Sequence, residues 1–317
     1  MEFDAILLLS FGGPDGPADV RPFLANVLRG RPVSPDRVEE VAANYMRFGG
    51  RSPINAQNRA LLASLRELSG GRAVYWGNRN WHPFVADTVA QMRDDGVRRA
   101  AVFATSAYSS YSGCRQYMED TERARAAVGP GAPDLVKVRP FYDHPGFFTP
   151  LAEGLAAAVA EAGPDAPVFM SAHSIPAAMA GTCDYEMQLA STARRVAAMA
   201  GVEEGRWRQV YQSRSGPPSQ PWLSPDILQA IADLPNGTES LVVVPIGFVS
   251  DHMEVLYDLD TQATAAAAER GIRLLRSATP GASPAFARMA VDLVEELEAS
   301  ADPPGWCRPG CCPGPSR

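Results

Sequence analysis

Pro167-Val168-Phe169-Met170-Ser171-Ala172 runs directly into His173-Ser174-Ile175-Pro176. The run lacks the in–out alternation of a strand with one wet face, so it reads as a strand covered on both sides, as in a parallel sheet. Seven other runs share that character: Ala5–Phe11, Ala73–Gly77, Ala100–Thr105, Leu135–Pro140, Arg208–Gln212, Leu241–Ile246 and Ile272–Arg276. Helical patterns lie between them, among them Pro83–Asp94, Phe147–Ala162, Glu186–Ala200 and Ser283–Ala299. Eight such alternations predict an α/β fold with parallel sheets. Four strands precede the loop Phe141–Pro145 and four follow it, which predicts two similar doubly wound lobes with a cleft between them. In such sheets ligands sit beyond the carboxyl ends of the strands, so residues placed just after a strand draw most interest. A long, mostly helical insertion, Pro17–Leu68, precedes the second strand, and the chain closes with Pro303–Arg317, rich in Pro, Gly and Cys.

A length of 317 residues suits two domains. With 46% hydrophobic and 21% charged residues the chain is unlike a disordered one. No apolar run approaches the ~18–20 residues needed to span a bilayer. Met1-Glu2-Phe3-Asp4 does not open like a signal peptide. A formal charge of -7 argues against nucleic acid as the main partner. These features predict a cytoplasmic protein without stable membrane insertion. Lys137 is the one lysine among 29 basic residues, so arginine abundance by itself marks no site. The five cysteines are an odd number, which speaks against a disulfide framework and leaves metal binding open. Cys114 and Cys183 stand alone, while Cys307, Cys311 and Cys312 crowd the last eleven residues.

Two segments carry candidate chemistry. His173 stands at the carboxyl end of its strand, where an imidazole takes protons near neutral pH or simply caps the strand. The run Leu241–Ile246 leads into Gly247-Phe248-Val249-Ser250-Asp251-His252-Met253-Glu254-Val255-Leu256-Tyr257-Asp258, which reads as strand, turn and helix with Ser250 or Asp251 as N-cap. On an α-helix Asp251, Glu254 and Asp258 share one face. Early acids complement a helix dipole, but stacked carboxylates also repel one another unless a cation or proton is shared. Ser10-Phe11-Gly12-Gly13-Pro14 is a glycine turn without a dinucleotide fingerprint or a Walker lysine.

These segments together resemble the ferrochelatases, over essentially the whole chain. The strongest pieces are Ser171-Ala172-His173-Ser174-Ile175-Pro176 and Pro245-Ile246-Gly247-Phe248-Val249-Ser250-Asp251-His252-Met253-Glu254. Leu9-Ser10-Phe11-Gly12-Gly13-Pro14, Arg29-Gly30-Arg31, Gly49-Gly50-Arg51-Ser52-Pro53-Ile54-Asn55 and Pro221-Trp222-Leu223 follow in the same order. The resemblance implies two Rossmann-like lobes, each with a four-stranded parallel sheet flanked by helices. The first would comprise residues 1–140 and 282–317, including a returning C-terminal helix, and the second residues 141–281. It implies insertion of Fe²⁺ into a porphyrin with release of two protons. His173 and Glu254 would be the catalytic pair and, with Asp258 on a helix carrying a widened π turn, would meet the Fe²⁺. Phe11, Arg29, Arg31, Tyr45, Ser52, Arg79, Tyr117 and Trp222 would line the porphyrin, with Arg29 and Arg31 taking its carboxylates. Many relatives place an iron-ligating tyrosine where this chain has Phe11, which leaves Tyr45 as a candidate for that role. Gln262 stands where the acidic row often continues, which speaks against a second metal site beyond Asp258.

Some members of the family hold a [2Fe–2S] cluster, and the resemblance assigns it to Cys114, Cys307, Cys311 and Cys312. Zinc on the same thiolates is the alternative, and Cys183 is left as a bystander. The resemblance favours coproporphyrin III over protoporphyrin IX as substrate and, with that substrate, handover of product to a coprohaem decarboxylase; nothing in the sequence resembles a dedicated dimerisation helix, so a monomer is expected. A tetrapyrrole carrier or sensor that binds without metallating is the reading from another functional class.

Overall fold

The computed structural model describes residues 2–30, 33–217, 219–300 and 310–314. Every one of the eight apolar runs forms a strand: β1 (Ala5–Ser10), β2 (Ala73–Asn78), β3 (Arg99–Ala104), β4 (Asp134–Lys137), β5 (Val168–His173), β6 (Trp207–Gln212), β7 (Ser240–Val244) and β8 (Arg273–Arg276). All neighbours pair in parallel, in two four-stranded sheets ordered β2-β1-β3-β4 and β6-β5-β7-β8. The two sheets thus repeat one topology, the first strand of each lying second in its sheet. Every residue of β1 is buried, as are the first five of β5, which explains their unbroken apolar reading.

The helices follow the strands that they cover. The insertion before β2 supplies α1 (Val20–Val27), α2 (Pro35–Arg47) and α3 (Ile54–Leu68). Ser34 caps α2 by accepting from the Arg37 N–H, with Pro35 at the first helical position. Then come α4 (Val85–Asp94), α5 (Gln116–Val128), α6 (Pro145–Ala162), α7 (Ala177–Ala180), α8 (Tyr185–Met199), α9 (Ile227–Ala232), α10 (Met253–Val255), α11 (Thr264–Glu269) and α12 (Pro284–Ala299). Two π-helical stretches interrupt this series, Tyr111–Arg115 and Leu256–Ala263.

The described residues divide into two compact units. The first holds residues 2–105, 116–139 and 290–300, with a core of Leu7, Leu9, Val89, Met92 and Val102. Its closing helical segment is tied in by Glu298, which accepts from the Phe3 N–H and from Arg72. The second unit holds Ser106–Arg115, Pro140–Met289 and residues 310–314, around Phe169, Val210, Ile231, Leu241, Val243 and Phe248. Residues 106–115, 140, 282–289 and 310–314, assigned to the first lobe on the sequence, fall with the second unit, so the boundary cuts through α12.

Two glycines place strand ends. Gly12 adopts a left-handed φ of +80°, and a Cβ there would sit 2.9 Å from the Asn78 Cβ. A Cβ on Gly247 would lie 2.6 Å from the Ala172 Cα, so only glycine lets the loop after β7 pass this close to the residue before His173.

Candidate active site

In the second unit, His173 ends β5 opposite Gln212 of β6. Its Nδ1 lies 2.5 Å from the Ser174 carbonyl oxygen. A carbonyl only accepts, so Nδ1 carries a proton and Nε2 is the ring nitrogen left to face the site. That Nε2 is 3.5 Å from Glu254 Oε2. The Tyr185 hydroxyl donates to the His173 carbonyl at 2.9 Å, which fixes the strand end to the start of α8. Ser174 Oγ donates to the Leu223 carbonyl at 2.9 Å, Leu223 N–H to Ile175 at 3.0 Å, and Pro176 pairs with Trp222. The Trp222 loop is thereby pinned beside the residues that follow His173. Its indole Nε1 is buried with no acceptor, a donor that a ligand could satisfy.

Glu254 and Asp258 come from a segment unlike the uniform α-helix that their spacing predicts. Neither Ser250 nor Asp251 is the N-cap: His252 takes that place, its Nδ1 accepting from the Glu254 N–H at 3.2 Å. Burial holds the His252 imidazole below its ordinary pKa, which keeps it neutral and able to accept. Asp258 lies within the π-helical stretch Leu256–Ala263. Burial is the main cause that pushes its carboxyl up to about 6; the Glu254 charge adds to this, while the Ser213 hydroxyl, donating to Asp258 Oδ2, opposes it. Ser213 holds a left-handed φ of +63°, an unfavourable conformation for a residue with a Cβ. Asp258 is thus a carboxyl poised to exchange protons near neutrality.

The expected row of three carboxylates is divided. Asp251 precedes the helix and pairs with Arg276 at 3.1 Å, and the same guanidinium binds Asp260, 3.0 Å from Nη2 to Oδ2. An internal arginine thus balances two acids while Glu254 and Asp258 stay with His173. Among the described residues no three His, Cys, Asp or Glu side chains are arranged to hold a metal ion.

The cysteines form a second group of interest. The Cys183 thiol donates to the Met179 carbonyl at 3.3 Å and interacts electrostatically with Cys312, which also feels Cys311 and Cys114. The contact with Cys312 is the main cause that lowers the Cys183 thiol to about 7, and the same contact raises that of Cys312. Cys114 is buried in the π turn Tyr111–Arg115. None of these four cysteines forms a disulfide. Four soft sulfur donors in one unit suit an iron–sulfur cluster or zinc chemically, although the described thiols do not surround a common point. Cys307 lies outside the described residues.

The first unit collects most of the expected porphyrin-lining residues. Phe11, just past β1, stacks edge-on with Phe23 at 6.2 Å, and Tyr45 of α2 meets the same ring at 5.8 Å. Trp81 joins them at 6.4 Å, so Phe11 and Tyr45 belong to one aromatic cluster. Arg79 forms a buried ion pair with Asp120 and lies over the Tyr117 ring at 4.6 Å and the Phe11 ring at 5.7 Å. Its charge is therefore balanced within the protein, a constraint on its expected role toward a ligand. Ser52 is buried, its N–H donating to the Pro14 carbonyl at 2.9 Å. Arg29 is exposed at the end of α1 and donates to Asn26 Oδ1 at 2.6 Å. Arg31 lies outside the described residues. Sequence reasoning missed Ser213, Asp120, His252 and Arg276. His252 alone had a signal, its place two residues before Glu254.

Known proteins resemble this chain along most of its length. Residues 3–298 match the sequence profile described as Ferrochelatase. A Mycobacterium marinum protein named coproporphyrin III ferrochelatase is 54% identical over 307 residues, which cover 96% of this chain and 89% of that protein. Its Mycobacterium avium namesake is 52% identical, covering 99% and 94%. A Rhodopirellula baltica protein named ferrochelatase is 51% identical, covering 93% and 86%. Among solved structures, Bacillus subtilis SirB with Fe³⁺ aligns with a TM-score of 0.59 at 12% identity, covering 93% of this chain and 95% of that one. CbiX, described as the terminal enzyme of sirohaem biosynthesis in denitrifying bacteria, aligns at 0.51 and 16%, covering 92% and 98%. At such identities these two speak for the fold alone.

Proposed function

The chain belongs to the ferrochelatase family, and from that premise we propose that it inserts Fe²⁺ into coproporphyrin III with release of two protons. The observation that carries the chemistry is the His173–Glu254 pair, with Nε2 and Oε2 3.5 Å apart. The two pyrrole N–H protons must leave as iron enters. Nε2, the ring nitrogen not committed to Ser174, accepts them one after the other, passing the first on before it takes the second. Glu254 stabilises the imidazolium that forms. Asp258, with its carboxyl near 6, takes a proton onward and returns to the carboxylate by releasing it to water.

The substrate's four propionates need cations, for which we propose Arg29 and Arg31; Phe11, Tyr45, Ser52, Arg79, Tyr117 and Trp222 supply the remaining contacts. Tyr45 is the proposed ligand of the product iron, since the Phe11 ring cannot ligate. The choice of coproporphyrin is supported by the relatives that carry that name. Its iron product keeps all four propionates, so a decarboxylating enzyme would consume it.

The same reading includes a [2Fe–2S] cluster, which would supply a thiolate-held iron centre. Of the thiols expected to hold it, Cys114, Cys311 and Cys312 are described. Free cysteines support a reducing, cytoplasmic setting, and no helix among the described residues is long and apolar enough to cross a membrane. The enzyme is taken as a monomer.

The test is anaerobic Fe²⁺ insertion, comparing coproporphyrin III with protoporphyrin IX without detergent. Faster turnover of coproporphyrin is expected. Preference for protoporphyrin overturns the substrate. Stoichiometric binding of either without turnover replaces the enzyme with a carrier.

A further inference from the structure

Arg276 closes β8, and its largely buried guanidinium serves two acids that flank Glu254 and Asp258 in the chain, Asp251 and Asp260. We propose that Arg276 is a positioning residue for metal insertion: by clamping Asp251 and Asp260 it sets where Glu254 and Asp258 stand relative to His173. The role rests on the chain being an iron chelatase.

The geometry is that of a strap tied at both edges of one sheet. In the order β6-β5-β7-β8 the edges are β6 and β8, and β5, which ends in His173, lies inside. The segment that carries Glu254 and Asp258 follows β7 and is held from both edges. On the β6 side Ser213, just past the strand, donates to Asp258 Oδ2. On the β8 side Arg276 forks onto Asp260, Nε to Oδ1 at 2.5 Å and Nη2 to Oδ2 at 3.0 Å. Residues two apart on a helix point to nearly opposite sides, so fixing Asp260 toward β8 turns Asp258 toward β6. Nη1 donates to Asp251 Oδ1 and to the Ser277 carbonyl, both at 3.1 Å, which ties the start of the segment to the end of β8 as well. The loop after β8 adds a backbone tie, the Gly281 N–H donating to the Val249 carbonyl at 2.7 Å.

The clamp acts on the stretch most in need of one. A π-helical backbone is rare and is kept mostly at functional sites. The Thr261 hydroxyl supports the widened turn from within, donating to the Leu256 carbonyl at 3.3 Å. Relaxation to α pitch would shift the register by one residue, roughly 100° of rotation, which a fork on Asp260 opposes. Arginine suits the task, since its planar fork grips one carboxylate and leaves a nitrogen for a second; an ammonium is a point charge.

The experiment uses the full chain and anaerobic Fe²⁺ insertion into whichever of coproporphyrin III and protoporphyrin IX the wild type turns over faster. It measures kcat, the porphyrin KM, the urea midpoint and amide hydrogen exchange. Arg276→Met should lower kcat by roughly 10–10², leave the porphyrin KM nearly unchanged, and speed exchange in 251–264 more than elsewhere in the second unit. Arg276→Lys keeps the charge without the fork and should fold normally yet still lose most of kcat. The triple variant Asp251→Asn, Asp260→Asn, Arg276→Met removes all three charges, and should recover the urea midpoint but not kcat. Wild-type kcat in Arg276→Lys, or recovery of both midpoint and kcat in the triple variant, shows that Arg276 only balances charge and overturns the proposal. A fall in kcat/KM carried by KM alone places Arg276 in substrate binding and also overturns it. A wild type that inserts iron into neither porphyrin overturns the chelatase and the positioning role with it.

Discussion

The ends of β1 and β5 occupy the same position in sheets of the same strand order, yet they are furnished in opposite ways. Beyond β1 stand aromatic rings, Phe11, Phe23, Tyr45 and Trp81, and the one buried guanidinium described there, Arg79, is already matched by Asp120. Beyond β5 stand polar, ionisable groups: the His173 imidazole beside Glu254, and Asp258 with its carboxyl raised to about 6. One strand end carries packed aromatic rings and an internally balanced charge, the other a histidine and two carboxyls. A repeated scaffold fixes only where a site falls, and the residues just past each strand decide what it does.

The largest effect should come from His173→Ala. Loss of a general base lowers turnover by roughly 10²–10⁴, while porphyrin binding, followed by fluorescence quenching, should stay within a few-fold. Near wild-type turnover would remove the second unit's strand end from the chemistry. Next comes Arg79→Met, which leaves the buried Asp120 with only Arg123 as a partner. Breaking a buried pair costs up to ~3–5 kcal/mol, less what Arg123 recovers, so the urea midpoint should fall. Asp120→Asn on top should restore part of it. The pH profile of turnover should keep its shape in both variants. A shifted profile would mean that the first unit also titrates, and the contrast would fail.

Much of this architecture is legible in the sequence. All eight strands are, because buried parallel strands leave continuous apolar runs that need no partner to be recognised. His173 is legible for the same reason, since its place is set by the strand that it ends. What is hidden depends on contacts distant in the chain or on a change of helical pitch. The common face of Asp251, Glu254 and Asp258 follows from 3.6 residues per turn, but the helix widens at Leu256 and Asp251 precedes it, so the row divides. Arg276, which takes Asp251 and Asp260, is an ordinary strand-end arginine by its own neighbours. Asp120 lies 41 residues from Arg79. Cys183 has no cysteine near it in sequence and meets Cys312 only through the fold.

The smallest of these effects sharpens the contrast most, because it separates stability from activity at a single carboxyl. Asp258 has its carboxyl raised from 3.8 to about 6, chiefly by burial. Between those values the folded chain keeps a proton that the unfolded chain has released, so stability falls as pH rises from about 4 to about 6. Above 6 the whole cost of burying the charge is present, roughly 3 kcal/mol at most. Asp258→Asn retains an oxygen that can accept from Ser213 but cannot ionise. It should therefore raise the urea midpoint at pH 7, with an advantage that shrinks toward zero by about pH 4. Turnover should move the other way, since the amide cannot receive a proton from the site. A variant no more stable than wild type at pH 7 would show that Asp258 lies in a wetter setting than its packing indicates. Stabilisation with unchanged turnover would confine proton movement to His173 and Glu254.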